Sequence, residues 1–95
     1  EDFTALQVLD CGYNSLTTVA VSSNTNLTHL TASNNDLTVI TLASSSNLEE
    51  LQVFNNASLS TIDVSNQTGL KILNTSNTSM STLSLNSNTN LEEIY

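Results

Sequence analysis

The chain has 95 residues and a mass of 10.2 kDa, which is enough for one domain. Nine acidic residues and one basic residue give a net charge of −8, so the surface repels nucleic acid and anionic membranes, and we expect neither as a partner. No apolar run approaches the roughly 20 residues of a membrane-spanning helix, and a lone cysteine, Cys11, excludes an internal disulfide or a cysteine-based zinc site.

Polar residues dominate the composition, but the apolar residues are ordered along the chain. Ser, Thr and Asn make up 43 of the 95 residues, and without order such a composition would indicate disorder. Leucine, however, begins five successive segments in steps of 21, 21, 22 and 21 residues, at Leu6, Leu27, Leu48, Leu70 and Leu91. A fixed period of this length is the mark of a stacked repeat protein.

In chain order, residues 1–5 resemble the end of an earlier repeat, four repeats follow at 6–26, 27–47, 48–69 and 70–90, and residues 91–95 begin a fifth. The repeats place apolar residues at the same offsets, as repeat two does with Leu27, Leu30, Ala32, Leu37, Ile40 and Leu42, except that repeat four has Thr75 at the third of them. Repeat three has one extra residue near Ala57–Ser58. Because the terminal repeats of solenoids usually carry polar caps, which this pattern lacks, we expect this single segment to be part of a longer chain.

Two short segments of each repeat alternate apolar and polar residues, as Leu51-Gln52-Val53 and Ile62-Asp63-Val64 do in repeat three. This period of two predicts short strands, and no long stretch has the 3.6-residue apolar period of an α-helix. The sequence therefore predicts a mainly β repeat solenoid, with two extended segments per turn and little or no helix. The core is expected to form by stacking of the apolar columns.

The repeat, written LxxLxxxxNxLxxLxL, resembles the leucine-rich repeat family and is most similar to its short 21-residue form in cell-surface and secreted proteins of Bacteroidota-type bacteria. The resemblance covers residues 6–95. It implies a right-handed superhelix with parallel strands on the concave face and a buried ladder of asparagine side chains, here Asn14, Asn35 and Asn56. An amide suits such a corner because it offers both donors and an acceptor to buried backbone groups. Repeat four has Thr78 at the matching position, so a weaker or shifted ladder is expected there.

A second polar column stands directly before the leading leucines, and its members are Asn26, Asn47, Gly69 and Asn90. Asn and Gly tolerate positive φ better than other residues do, so this column predicts a left-handed turn residue at that corner.

The candidate binding surface is formed by the outward positions of the first strand in each repeat, because the concave face is the usual partner-binding surface in leucine-rich repeat proteins. These positions form three columns: Val8, His29, Glu50, Ile72 and Glu93; Asp10, Thr31, Gln52, Asn74 and Tyr95; and Gly12, Ser33, Phe54 and Ser76. Phe54, Ile72 and Tyr95 are groups of the kind that anchor interfaces, although scattered exposed apolar residues are normal on any protein. The predicted partner is a protein or a glycan. Neighbouring repeats or domains of the same chain are expected as further contacts.

No catalytic residue, metal site or cofactor is predicted. His29 has Glu50 beside it in its column, but a flat sheet face offers no pocket that would exclude water from a reaction. Cys11 shares its column with small residues and is interpreted as a buried, space-filling side chain. Lys71 lies in a column with glutamates on both sides, which predicts a cross-strand ion pair, and the sequence contains no calcium-binding loop motif.

The sequence thus favours a non-enzymatic interaction module of an extracellular or cell-surface protein. The alternative is a structural spacer or stalk of a larger surface protein or assembly. A binding module predicts more chemical variety in the concave columns than in the convex ones, whereas a stalk predicts near-uniform repeats over a much longer chain.

Overall fold

A computed structural model of the chain describes residues 5–95. These residues form a β-solenoid of about four turns, with parallel strands and no helix, as the repeat pattern predicts. Residues 1–4 lie outside the described part of the chain, so the interpretation of residues 1–5 as the end of an earlier repeat stays a prediction.

In chain order the strands are β1 (Val8–Asp10), β2 (Thr18–Ala20), β3 (His29–Thr31), β4 (Val39–Thr41), β5 (Glu50–Gln52), β6 (Ile72–Asn74) and β7 (Glu93–Ile94). The first strands of the repeats form a five-stranded parallel sheet in the order β1-β3-β5-β6-β7, and β2 pairs with β4 in a second, two-stranded sheet. Equivalent positions face each other throughout, so that Leu30, for example, pairs with Leu51. Among the described residues, the second sheet ends before repeat three, the repeat that contains the extra residue.

The core consists of aliphatic side chains that point inward from both segments of each turn. Leu30, Leu51 and Leu73, at the centres of their strands, are fully buried, and so are Leu37 and Leu59 from the second halves of their repeats. Burial of a leucine side chain contributes about 1.5–3 kcal/mol. Because one turn cannot cover its own apolar edge, the turns are stable only when they are stacked.

The prediction of positive φ before the leading leucines was wrong. Among the described residues, φ is positive, between 55° and 59°, at Tyr13, Asn34, Asn55 and Asn77, and it is not positive in the column Asn26, Asn47, Gly69 and Asn90. The left-handed residue instead follows the first strand of each repeat, where the chain leaves the five-stranded sheet. At the other corner of turn three, the chain bends through two consecutive reverse turns, closed by hydrogen bonds from Gln67 to Val64 and from Leu70 to Gln67. The commonest reverse turns need only negative φ.

Gly69 is required at this second corner for space rather than for its freedom in φ. A Cβ atom at this position would overlap the carbonyl oxygen of Ser46 in the preceding turn. The other repeats have asparagine at the equivalent position, so the close approach of the two backbones is specific to turns two and three.

Candidate binding surface on the five-stranded sheet

Buried asparagine side chains, Asn35 and Asn56, hold the corners that follow β3 and β5 of the five-stranded sheet. Asn56 is fully buried, and its Nδ2 donates to the carbonyl oxygen of Val53 at 2.9 Å and to that of Ala32, in the preceding turn, at 3.0 Å. Its Oδ1 accepts a hydrogen bond from the N–H of Leu37 at 3.1 Å. Asn35 makes the equivalent bonds one turn earlier. Each amide therefore joins two turns and satisfies backbone groups that no strand partner reaches.

Within residues 5–95, the side chains of the two outer members of this column, Asn14 and Thr78, bond only their own turns, so the prediction that Asn14 belongs to the buried ladder was wrong. Asn14 is exposed, and its Nδ2 donates to the carbonyl oxygens of Cys11 at 3.0 Å and Gly12 at 3.1 Å. Thr78 donates from Oγ1 to the carbonyl oxygen of Thr75 at 2.7 Å. A hydroxyl has a single hydrogen to donate, so Thr78 cannot donate to carbonyl oxygens of its own turn and of the preceding turn together, as the amide of Asn56 does.

A second buried amide ladder, which was not predicted, lies at the corner before the leading leucines. Gln67 donates from Nε2 to the carbonyl oxygen of Ala43 at 2.7 Å, and Asn88 donates from Nδ2 to the carbonyl oxygen of Gln67 at 2.8 Å. Both side chains are buried. The equivalent residues of repeats one and two are Asn24 and Ser45. Three amides at one offset, each three residues before a leading leucine, were the signal that could have revealed this ladder.

A third ladder consists of the positive-φ asparagines, of which Asn55 and Asn77 are exposed and Asn34 is half-buried. Asn77 donates from Nδ2 to Asn55 Oδ1 at 2.8 Å, and Asn55 donates from Nδ2 to Asn34 Oδ1 at 2.9 Å. Asparagine is one of the few residues besides glycine that adopt this backbone conformation readily. These three side chains, the outer ladder, connect successive turns at the margin of the five-stranded sheet.

The sheet register brings the first two predicted columns together on one face. The first column pairs from strand to strand in the order Val8, His29, Glu50, Ile72 and Glu93. The second column pairs in the order Asp10, Thr31, Gln52 and Asn74, and backbone hydrogen bonds of Tyr95 to β6 and to Thr75 extend it by one strand. We call these ten residues the outer face. Val8 and Tyr95 are exposed to 62% and 60%, whereas Ile72 is half-buried.

The third predicted column does not form an outward line. Phe54 is half-buried, and Ser33, which was expected to point outward, is only 1% exposed. This column lies at the ends of the strands, next to Asn34 with its φ of 59°, so the alternation of inward and outward side chains stops there. The outer face therefore consists of two columns, with Phe54 at its margin.

Charged groups on and beside the outer face form local pairs. Lys71 Nζ lies 3.0 Å from Glu49 Oε1, and this hydrogen bond and charge raise the pKa of Lys71 above its ordinary value, with a smaller effect from Glu92. Tyr95 donates from its hydroxyl to Glu93 Oε2 at 2.7 Å, which raises the pKa of the phenol. One lysine among several glutamates leaves this side of the solenoid acidic.

The single histidine and the single cysteine of the chain have different surroundings. His29 Nδ1 is hydrogen-bonded to Thr28 Oγ1 at 2.8 Å, and within residues 5–95 the imidazole makes no ion pair with Glu50. Cys11 is half-buried, and its burial, with a further contribution from the charge of Asp10, raises the pKa of the thiol. The thiol therefore stays protonated near neutral pH and is a poor nucleophile.

Within residues 5–95, no group of three or more His, Cys, Asp or Glu side chains is placed to hold a metal ion, and no helix is long and apolar enough to cross a membrane. Comparison of the chain with protein-family models, with curated proteins and with solved structures gave no match.

Proposed function

We propose that this chain is a non-enzymatic interaction module of the leucine-rich repeat type that works outside the cell or at its surface and binds a protein or a glycan through the outer face. The observation that supports this proposal is the contrast between the two sides of the five-stranded sheet. The inward residue at the centre of β1, β3, β5 and β6 is leucine every time, whereas the outward residues change in chemistry from turn to turn: Val8, His29, Glu50 and Ile72. Packing determines the inner residues, and the outer residues are free to serve recognition.

The outer face combines apolar and acidic groups, and this mixture favours a protein partner with basic residues around an apolar centre. Val8 and Tyr95 are exposed, Ile72 is half-buried, and Glu50 lies between Val8 and Ile72 along the same column. Apolar and aromatic side chains commonly anchor interfaces, while carboxylates select an oppositely charged partner and accelerate its association. The amides of Gln52 and Asn74 supply the hydrogen-bonding groups that a glycan would use.

A comparison of charge-reversed variants tests this proposal. The wild-type chain, Glu50→Lys on the outer face and Asp63→Lys in the second half of repeat three are immobilised and exposed to the secreted and surface material of the source cells. Because both variants change the net charge by the same amount, non-specific electrostatic capture changes equally in both. We expect the wild type and Asp63→Lys to retain the same protein or glycan, identified by mass spectrometry, and Glu50→Lys to lose it. Equal retention by Glu50→Lys would refute binding through the outer face.

A structural spacer is the second candidate, and the amide ladders favour it. Side-chain hydrogen bonds connect successive turns at both corners, as Asn56 does to Ala32 at 3.0 Å and Asn88 does to Gln67 at 2.8 Å. Such bonds stiffen a stack whose turns contact only their neighbours. A spacer has no use for the outer face, so it predicts that Glu50→Lys and the wild type capture the same material.

A further inference from the structure

A polar groove lies at the corner beside the outer face, where repeat three has its extra residue. It has a volume of about 370 Å³ and is lined by Asn35, Asp36, Asn55, Ala57, Ser58 and Asn77. Pockets for small ligands usually have volumes of about 300–1,000 Å³, so this groove is large enough for one. Its residues come from turns two, three and four, and none of them belongs to the outer face.

The groups that line the groove keep unused hydrogen-bonding capacity. Within residues 5–95, the carboxylate of Asp36 and the hydroxyl of Ser58 have no hydrogen-bond partner. Asn55 and Asn77 each use one N–H in the outer ladder, which leaves the second N–H of each amide available. The groove therefore offers a ligand one carboxylate acceptor from Asp36, two N–H donors from Asn55 and Asn77, and the Ser58 hydroxyl, which both donates and accepts.

Two of these groups are already fixed in position. Asn55 and Asn77 have φ values of 57° and 55°, and the hydrogen bond of 2.8 Å between their side chains sets the direction of both amides. A ligand that bonds to them does not have to order them first, which removes part of the entropic cost of binding.

We propose that this groove is a binding site for a neutral saccharide. Every sugar hydroxyl both donates and accepts, so it can donate to the Asp36 carboxylate while a neighbouring hydroxyl accepts from Asn55 or Asn77. Asp36 and the net charge of −8 disfavour anionic ligands. Ala57 is the only apolar side chain in the lining, so the groove lacks the pocket in which an apolar side chain of a peptide would anchor.

Side-chain amide NMR signals provide the test. The whole chain is titrated with maltose, cellobiose and lactose in turn, and with glucuronate as the anionic comparison. We expect at least one neutral disaccharide to give saturable shifts of the Asn55 and Asn77 side-chain amides, and glucuronate to give none. Ser58→Trp, which fills the groove, is expected to weaken binding by about tenfold or more, equivalent to about 1.4 kcal/mol. Ser60→Trp, at an exposed position outside the lining, is the matched control and should bind as the wild type does.

Absence of saturable shifts with all three disaccharides would overturn the proposal, and so would unchanged binding by Ser58→Trp. If the amide spectrum shows that Ser58→Trp is unfolded, Asp36→Ala takes its place. Asp36 is exposed, and its backbone N–H, bonded to the carbonyl oxygen of Leu16, is retained in that variant. Because the groove shares no residue with the outer face, the saccharide site and the proposed function can each fail without the other.

Discussion

Replacing Asn56 by alanine is expected to cost a large part of the stability of the solenoid. The substitution removes two hydrogen bonds donated by Nδ2, of 2.9 and 3.0 Å, and one accepted by Oδ1, of 3.1 Å. Each lost donor bond contributes about 0.5–1.5 kcal/mol, and the buried N–H of Leu37, left without an acceptor, costs about 1–3 kcal/mol. The expected loss is therefore about 2–6 kcal/mol, against the roughly 5–15 kcal/mol by which whole domains are stable.

Asn14→Ala is the matched control, because Asn14 occupies the same column but is exposed, and within residues 5–95 its side chain bonds only its own turn. Asn14→Ala should lower the free energy of unfolding by about 1 kcal/mol or less, as expected for the loss of exposed hydrogen bonds. Urea unfolding followed by far-UV circular dichroism measures both variants, since the chain has no tryptophan to serve as a fluorescent probe. If Asn56→Ala does not fold, Asn35→Ala, at a position that is 7% exposed, replaces it. Equal losses of stability on replacing the buried and the exposed asparagine would refute the claim that the buried ladder stabilises this corner.

Three further predictions concern single positions. Gly69→Ala should destabilise the chain by about 1–3 kcal/mol in urea unfolding, because the added Cβ overlaps the carbonyl oxygen of Ser46. Gly12→Ala should lower the stability less, because its Cβ would lie 3.1 Å from the nearest atom, the carbonyl oxygen of Ser33. A larger loss of stability for Gly12→Ala than for Gly69→Ala would contradict the steric explanation. Thr78→Asn should add a hydrogen bond to the preceding turn and stabilise the chain by about 0.5–1.5 kcal/mol in the same assay, whereas a loss of stability would mean that repeat four cannot accept the ladder. Cys11 should react with iodoacetamide at pH 8 more slowly in the folded chain than in urea, because its raised pKa lowers the thiolate fraction, and equal rates would show that burial does not protect it.

The sheet and the outer face could be predicted from the sequence because two simple periods act together. Alternation within a strand determines which side chains point inward, and the repeat period aligns equivalent residues between turns. Both columns of the outer face, from Val8 to Glu93 and from Asp10 to Tyr95, therefore follow from offsets alone. The periods do not extend to the strand ends, so Ser33 was assigned to the surface although it is buried.

The corners were harder to predict because turn residues are chosen for local backbone geometry rather than by a period. The column of Asn26 and Gly69 has the composition of a left-handed turn, yet its chain bends with negative φ and its glycine serves close packing. The true positive-φ column begins with Tyr13, a residue type that does not signal this conformation. The second buried ladder was obscured in a similar way, because serine interrupts its amides at Ser45.

Site-specific photo-crosslinking in the source cells tests the central claim, binding through the outer face, most directly. A benzophenone amino acid is placed at His29, an exposed position of the outer face, or at Val39, which is 51% exposed on β4 of the two-stranded sheet. We predict one discrete cross-linked product, protein or glycan, from position 29, none from position 39, and loss of the product when Glu50→Lys is added. No product from position 29, or the same products from both positions, would contradict the proposal and favour the spacer.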